Sequence, residues 1–307
     1  MIKNKNEIEF VRLGFCSNDY ICLLPEIPID HKVQILEHLI QGGGPAATAT
    51  VAAARLGMKT AFLSMVGDDD PGRRILQDLE AENIFTGSMR VRQDSTSPIA
   101  YCWIDQPTGK RSIAWTRGTL RELDPSELDM ERILNAKLLH LDGHNTAAAI
   151  VAAEEARKHG VLVSLDAGTI RPGVEKIMEH TDLLFTSEYF ARTWTGEQDL
   201  EKALLKLVKI GAKVTGVTMG DKGSIAIDNG KIIHCPAFRV TPVDTTGAGD
   251  VFHGAFAVKY LESADLYESM RFASAVSAVK CRKLGGRAGI PTRRQVDEFL
   301  AEHQSQG

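Results

Sequence analysis

The chain has 307 residues, 43% hydrophobic and 25% charged, which is enough apolar material for a sizeable globular core. With 36 Lys and Arg against 40 Asp and Glu, the net charge is −4, so there is no overall basic field to favour nucleic acid or an anionic membrane surface. Five scattered cysteines form no C-x-x-C pair, which argues against a zinc ribbon or a paired disulfide framework, and no apolar run of about 18 residues offers a membrane span.

Residues 1–15 contain no apolar leader region, and the cysteine usage suits a reducing compartment, so the expected location is the cytoplasm. No linker or repeat divides the sequence, and residues 1–307 are expected to form one domain. Within it, 8–40 and 89–117 hold strand-like runs such as Ile99–Asp105 and Arg111–Thr116 with no helix between them. They predict a small separate sheet, built from about 14–40 and 89–117, that projects as a lid; an ordinary edge hairpin is the alternative. The mixed charges of 121–132 read as a solvated helix face. From 137 onward the pattern alternates: strand 137–141, helix 147–159, strand 161–166, helix 174–180, strand 183–186, helix 200–210 and strand 214–219. Asn229-Gly230 then joins Ser224–Asp228 to Lys231–Cys235 as a hairpin, and a helix follows over 250–261. This rhythm predicts a largely parallel sheet with helices on both faces and ligands bound beyond the carboxyl ends of the strands.

The pattern D-T-T-G-A-G-D at 244–250, running into that last helix, carries the chemistry. Small residues at 247–249 let backbone N–H groups approach an anion, and the positive end of the helix adds to them. Asp250 at the helix start can take a proton from an attacking hydroxyl, although an Asp there is often only a cap. Three more segments stand in order beside it: G-G-G-P-A-A-T-A at 42–49, V-G-D-D-D-P-G at 66–72 and T-M-G-D-K-G at 218–223. Together the four segments resemble the signatures of the ribokinase-like (PfkB) carbohydrate kinases.

The resemblance implies a three-layer α/β/α sandwich with a β-sheet lid, ATP as donor, Mg²⁺, and a sugar hydroxyl as acceptor. Position by position, it implies Asp250 as general base, Gly247, Ala248 and Gly249 as the anion hole, and Thr246, Thr218, Gly220 and Gly223 on the nucleotide side. Asp19, Gly43 and Gly44 match acceptor-binding positions, and Asp244 matches a position whose backbone lies near a monovalent cation in many members, which admits potassium as an activator. Several residues depart from the family pattern. Ala47 replaces the usual Asn of the glycine motif, and Ser187 and Phe190 stand at the N-x-x-E positions, leaving Glu188 as a metal carboxylate or a loop charge. Asp166 and Arg171 resemble a D-x-N-x-R segment with one extra residue, so Arg171 either reaches a ligand anion or caps a helix. Arg287 serves the nucleotide edge or only a loop. His140 and His253 lack a second ligand at zinc spacing.

The segments 42–49 and 271–291 look most like the branch containing sulfofructose kinase, which implies a ketohexose-like acceptor. Trp115 and His144 occupy places where acceptor contacts are expected, or they fill structural roles; Trp103, Asp142 and Asn145 are further candidates. The expected function is an ATP-dependent kinase of a ketose-like or modified sugar, turning over a neutral or weakly acidic acceptor at least as well as a sulfonated one. Ribose, a nucleoside or 2-keto-3-deoxygluconate are alternative acceptors, and a non-catalytic sugar- or nucleotide-binding regulator is the alternative of another class. A homodimer through the lid is the expected assembly.

Overall fold

The computed structural model describes residues 8–303, so part of the N-terminal stretch read for a leader lies outside the described residues. The strands are β1 (Phe10–Leu13), β2 (Ser17–Leu24), β3 (Glu37–Gly43), β4 (Thr60–Leu63), β5 (Met65–Gly67), β6 (Arg90–Arg92) and β7 (Ile99–Asp105). After them come β8 (Arg111–Thr116), β9 (Leu138–Leu141), β10 (Leu162–Ala167), β11 (Leu183–Ser187), β12 (Val214–Thr218), β13 (Ser224–Asp228) and β14 (Lys231–Cys235). The helices are α1 (Pro45–Arg55), α2 (Asp70–Ala81), α3 (Met130–Leu134), α4 (Thr146–Lys158), α5 (Val174–Glu179) and α6 (Glu188–Thr195). The chain ends with α7 (Leu200–Leu207), α8 (Ala248–Ser263), α9 (Leu266–Lys280) and α10 (Arg293–Glu302).

Side chains that alternate along a strand point to opposite faces, and here both faces are apolar. Phe10, Phe62, Leu138 and Phe185 pack on one side with residues of α1, α8, α9 and α10. Their neighbours Val11, Leu63, Leu139 and Leu184 pack on the other side with α4, α5, α6 and α7. The result is three layers around an eight-stranded sheet of order β14-β13-β12-β11-β10-β9-β1-β4. From β12 to β4 all pairs are parallel, and the hairpin β13–β14 adds an antiparallel edge. Asn229 (φ 48°) and Gly230 (φ 78°) both adopt the left-handed conformation that such a two-residue turn requires.

Some boundaries differ from the sequence pattern. Helix 200–210 stops being α-helical at Leu207 and tightens into a 3₁₀ turn, Val208–Ile210, closed by Gly211. Segment 121–132 is not a helix face: Pro125 and a capping box between Asp124 and Glu127 make a single 3₁₀ turn, and α3 begins only at Met130.

A second sheet of order β3-β2-β7-β8 stands beside the large one. Its extent departs from the expected 14–40 and 89–117: β3 continues to Gly43, while Arg90–Arg92 leaves it to pair with Met65–Gly67 in a separate two-stranded sheet. Register divides its two faces. Asp19, Ala100 and Trp115 lie abreast, as do Ile21, Cys102 and Ile113, on the face that turns to the cavity described below. Tyr20, Tyr101 and Trp103 belong to the other parity, with Tyr20 and Tyr101 stacked at 5.1 Å. Trp103 therefore faces away from the cavity, contrary to its reading as an acceptor contact, because it sits one residue out of phase with Cys102.

Candidate active site

Parallel strands present their carboxyl ends on one rim, where the chain turns into the loops that carry the polar residues. Asp142 follows β9, Asp166 is the penultimate residue of β10, and Ser187 and Thr218 end β11 and β12. These four residues line one cavity of about 490 Å³, closed from above by Asp19, Ala100, Cys102, Arg111, Ile113 and Trp115 of the small sheet. Thr246, Gly247, Gly249 and Asp250 form its floor at the start of α8.

Gly247 caps α8 with φ 75°, a left-handed conformation that a side chain would oppose, and this is why the helix starts at Ala248, two residues before the sequence pattern suggests. Asp250 is thereby placed in the first turn, half-buried, where four backbone N–H groups have no partner within the helix. Burial first, and the Asp166 carboxylate second, push the Asp250 carboxyl up to about 6 against the opposing pull of His253 and Arg111. Asp166 in turn lies 3.1 Å from His253 Nε2. Beneath them Arg12 is fully buried; desolvation draws its pKa down to about 9, while Asp166, Asp142 and Asp250 oppose that shift.

Another part of the cavity wall is built from the loops after β1 and β9 and from the glycine strand. Asp142 Oδ2 accepts the N–H groups of Phe15 (2.8 Å) and Ala46 (3.2 Å), and Oδ1 accepts that of His144 (3.0 Å). Burial alone would raise Asp142, but the His144 imidazole and these donors bring it down to about 2. His144 Nδ1 lies 3.2 Å from Asp142 Oδ1. Asp142 is thus a brace, holding His144 and the glycine loop at the cavity wall. Asp19 accepts the Ser17 hydroxyl at 2.6 Å, and its carboxyl is raised by burial. A Cβ at Gly43 would lie 1.9 Å from Asp19 Oδ2, so only glycine fits beneath that carboxylate. Gly44 lines the cavity, whereas Gly43 supports it from behind.

Other predicted residues are placed as follows. Trp115, His144, Arg171 and Thr218 line the cavity, while Gly220 and Gly223 lie outside its lining in the turn after β12. Arg171 has no ion pair among the described residues, and its Nε has no hydrogen-bond acceptor. Glu188 is not brought to the cavity: as the first residue of α6 it is held by Arg192 at 2.8 Å, and Ser187 lines the wall instead. Arg287 lies outside the cavity lining, and its Nη2 donates to Gly43 O at 2.8 Å and braces the glycine strand. Among the described residues there is no cluster of three His, Cys, Asp or Glu side chains suited to hold a metal by themselves. His140 and His253, remote in sequence, approach to 6.2 Å between ring centroids.

Sequence reasoning missed Arg111 and the Asp166–His253 pair as elements of the site. Arg111 Nη1 reaches Thr245 Oγ1 at 3.2 Å, tying the small sheet to the 244–250 turn. Strand alternation could have placed Arg111 on the inner face with Trp115; nothing in the sequence spacing could have joined Asp166 to His253.

Such a turn, with a half-buried carboxylate at a helix start under a roof sheet, is an arrangement suited to phosphoryl transfer. The model of the pfkB family carbohydrate kinases matches residues 11–293, and the chain belongs to that family: it is a sugar kinase, a phosphotransferase with an alcohol group as acceptor. It is 29% identical to ribokinase of Bacillus subtilis over 293 residues, covering 94% of this chain and 98% of the relative. It is also 29% identical to a nucleoside kinase of Methanothermobacter thermautotrophicus over 301 residues, covering 96% of each. Among solved structures, Arabidopsis thaliana ribokinase complexed with ribose and ATP superposes with a TM-score of 0.83 at 26% identity, covering 96% of this chain and 99% of the other. The three-layer architecture is the ribokinase-like α/β/α sandwich.

Proposed function

We propose that the chain transfers the γ-phosphoryl group of ATP to a hydroxyl of a ketose-like or modified sugar. The observation that carries this reading is the half-buried Asp250 beside Gly247 and Gly249, in one cavity with Asp19 and Arg171. Asp250 takes the proton of the attacking hydroxyl, and the N–H groups of 247–249 receive the charge of the transferring group. ATP lies toward Thr218 and Ser187. Mg²⁺ suits this donor set, since it binds through one or two carboxylates together with substrate phosphates, and Asp166, a cavity-lining carboxylate distinct from the base, would hold it.

At the far end the acceptor rests under Trp115, with Asp19 on its hydroxyls and Arg171 and His144 at its tail. An unpaired guanidinium in a cavity favours an anionic partner, and this supports a weakly acidic acceptor such as a sugar acid. The sulfofructose kinase branch remains the finer proposal, supported by the segments 42–49 and 271–291 and opposed by Trp115 and His144 standing where its polar and cationic acceptor contacts are expected. Ribose is the second reading, favoured by the likeness to Bacillus subtilis ribokinase. The five free cysteines suit a reducing cytoplasm.

The test is kcat/KM for fructose, sulfofructose, ribose, a nucleoside and 2-keto-3-deoxygluconate under the same ATP and Mg²⁺. Preference for the sugar acid, reduced toward the neutral sugars in Arg171→Gln, is the expected result. Preference for ribose, unaffected by Arg171→Gln, would replace this acceptor with the second reading.

A further inference from the structure

Lys280 ends α9 and is fully buried. Its ammonium donates to Asp244 O at 2.9 Å and to Thr246 O, the two backbone carbonyls that flank Thr245 in the phosphate-binding turn. The Asp244 side chain stands close by, but both its oxygens are engaged: Oδ1 accepts Thr246 N–H at 2.7 Å and Oδ2 accepts Gly285 N–H at 2.8 Å. Desolvation pulls the Lys280 pKa below the usual lysine range, while Asp244, Cys281 and Asp250 work against that shift. A buried charge of this kind is expensive unless it is paired and hydrogen-bonded, and here its hydrogen bonds go to the turn itself.

We propose that Lys280 is a tethered cation that takes the place of a monovalent metal ion behind the phosphate-binding turn. The inference rests on the reading of 244–250 as that turn. Backbone carbonyls gathered on one side of a loop are what a potassium ion binds, and an ammonium group is of nearly the same size. With Nζ seated on the carbonyls of 244 and 246, a free ion cannot use them, so the residues present do not fit the potassium site that the family resemblance admits. The geometric effect follows from the planar trans peptide. Because the Thr246 carbonyl faces Lys280, the N–H of Gly247 in the same peptide is directed away from it, and Gly247 lines the cavity. Lys280 is therefore a positioning residue: it fixes the orientation of the peptides from which the anion hole is built.

Two measurements test this. First, wild-type turnover is followed as KCl is replaced by choline chloride at constant ionic strength. A flat response is expected, and saturable activation by potassium would overturn the proposal. Second, Lys280→Met is compared with the wild type. Loss of the fixed charge should lower turnover by ~10²-fold or more, the scale of losing one stabiliser of transition-state charge, with partial rescue by KCl or NH₄Cl but not by choline chloride. In the same variant, K⁺ should raise the melting temperature more than choline does, whereas the wild type shows no such difference. The melting readout needs no acceptor, so it stands apart from the kinase reading. A Lys280→Met protein with wild-type turnover, or one with the wild type's indifference to K⁺ in both readouts, would overturn the assignment. Should Lys280→Met not fold, the wild-type cation series alone decides.

Discussion

At the scale of single residues, the account turns on Asp250, which acts only as the carboxylate. Its pKa is raised to about 6, so kcat/KM should climb as pH rises through about 6 and level off above it. Asp166→Asn removes a negative neighbour and should move that acid limb to lower pH; His253→Ala removes an opposing group and should move it higher. A pH profile that stays fixed in both variants would mean that Asp250 is not the group being titrated. The sequence made Asp250 legible because base and anion hole are contiguous in one turn. It could not reveal that Asp166, His253 and Lys280 meet at this turn, from β10, the next turn of α8 and the end of α9. Their signal is a charged or titratable residue inside an apolar run, and that pattern names a buried group without naming its partner.

At the scale of elements, alternating strands and helices from 137 onward gave the layers, because each strand is apolar on both faces. Helix starts and the extent of the small sheet were less legible, since caps and strand pairing depend on φ values and partners distant in sequence. The element that must be placed well is α8. Phe185 on β11 packs against Phe252 at 5.5 Å and Phe256 at 4.6 Å, fixing the helix that carries Asp250. Phe185→Ala should cost ~3–5 kcal/mol in urea unfolding and lower kcat more than it raises KM. Loss of stability with an unchanged kcat would show that α8 is held elsewhere.

For the whole molecule, the outer face of the small sheet bears Ile40, Tyr101 and Trp103, which are 45%, 46% and 37% exposed. We propose that a second copy covers this face, forming a homodimer through the two lids; contiguous exposed apolar surface of this sort marks association sites. Sedimentation should show a dimer that Tyr101→Glu with Trp103→Glu converts to monomers, whereas a monomeric wild type would refute the assembly. Because these residues lie opposite the cavity in the strand register, their identity was visible in the sequence but their face was not.

The central claim, that Asp250 is the general base of a sugar kinase, is tested most directly by Asp250→Asn. With the preferred acceptor at saturation, the variant should bind ATP as the wild type does while kcat falls by ~10² or more, the scale of general-base catalysis. A kcat close to that of the wild type, with ATP binding intact, would contradict the account.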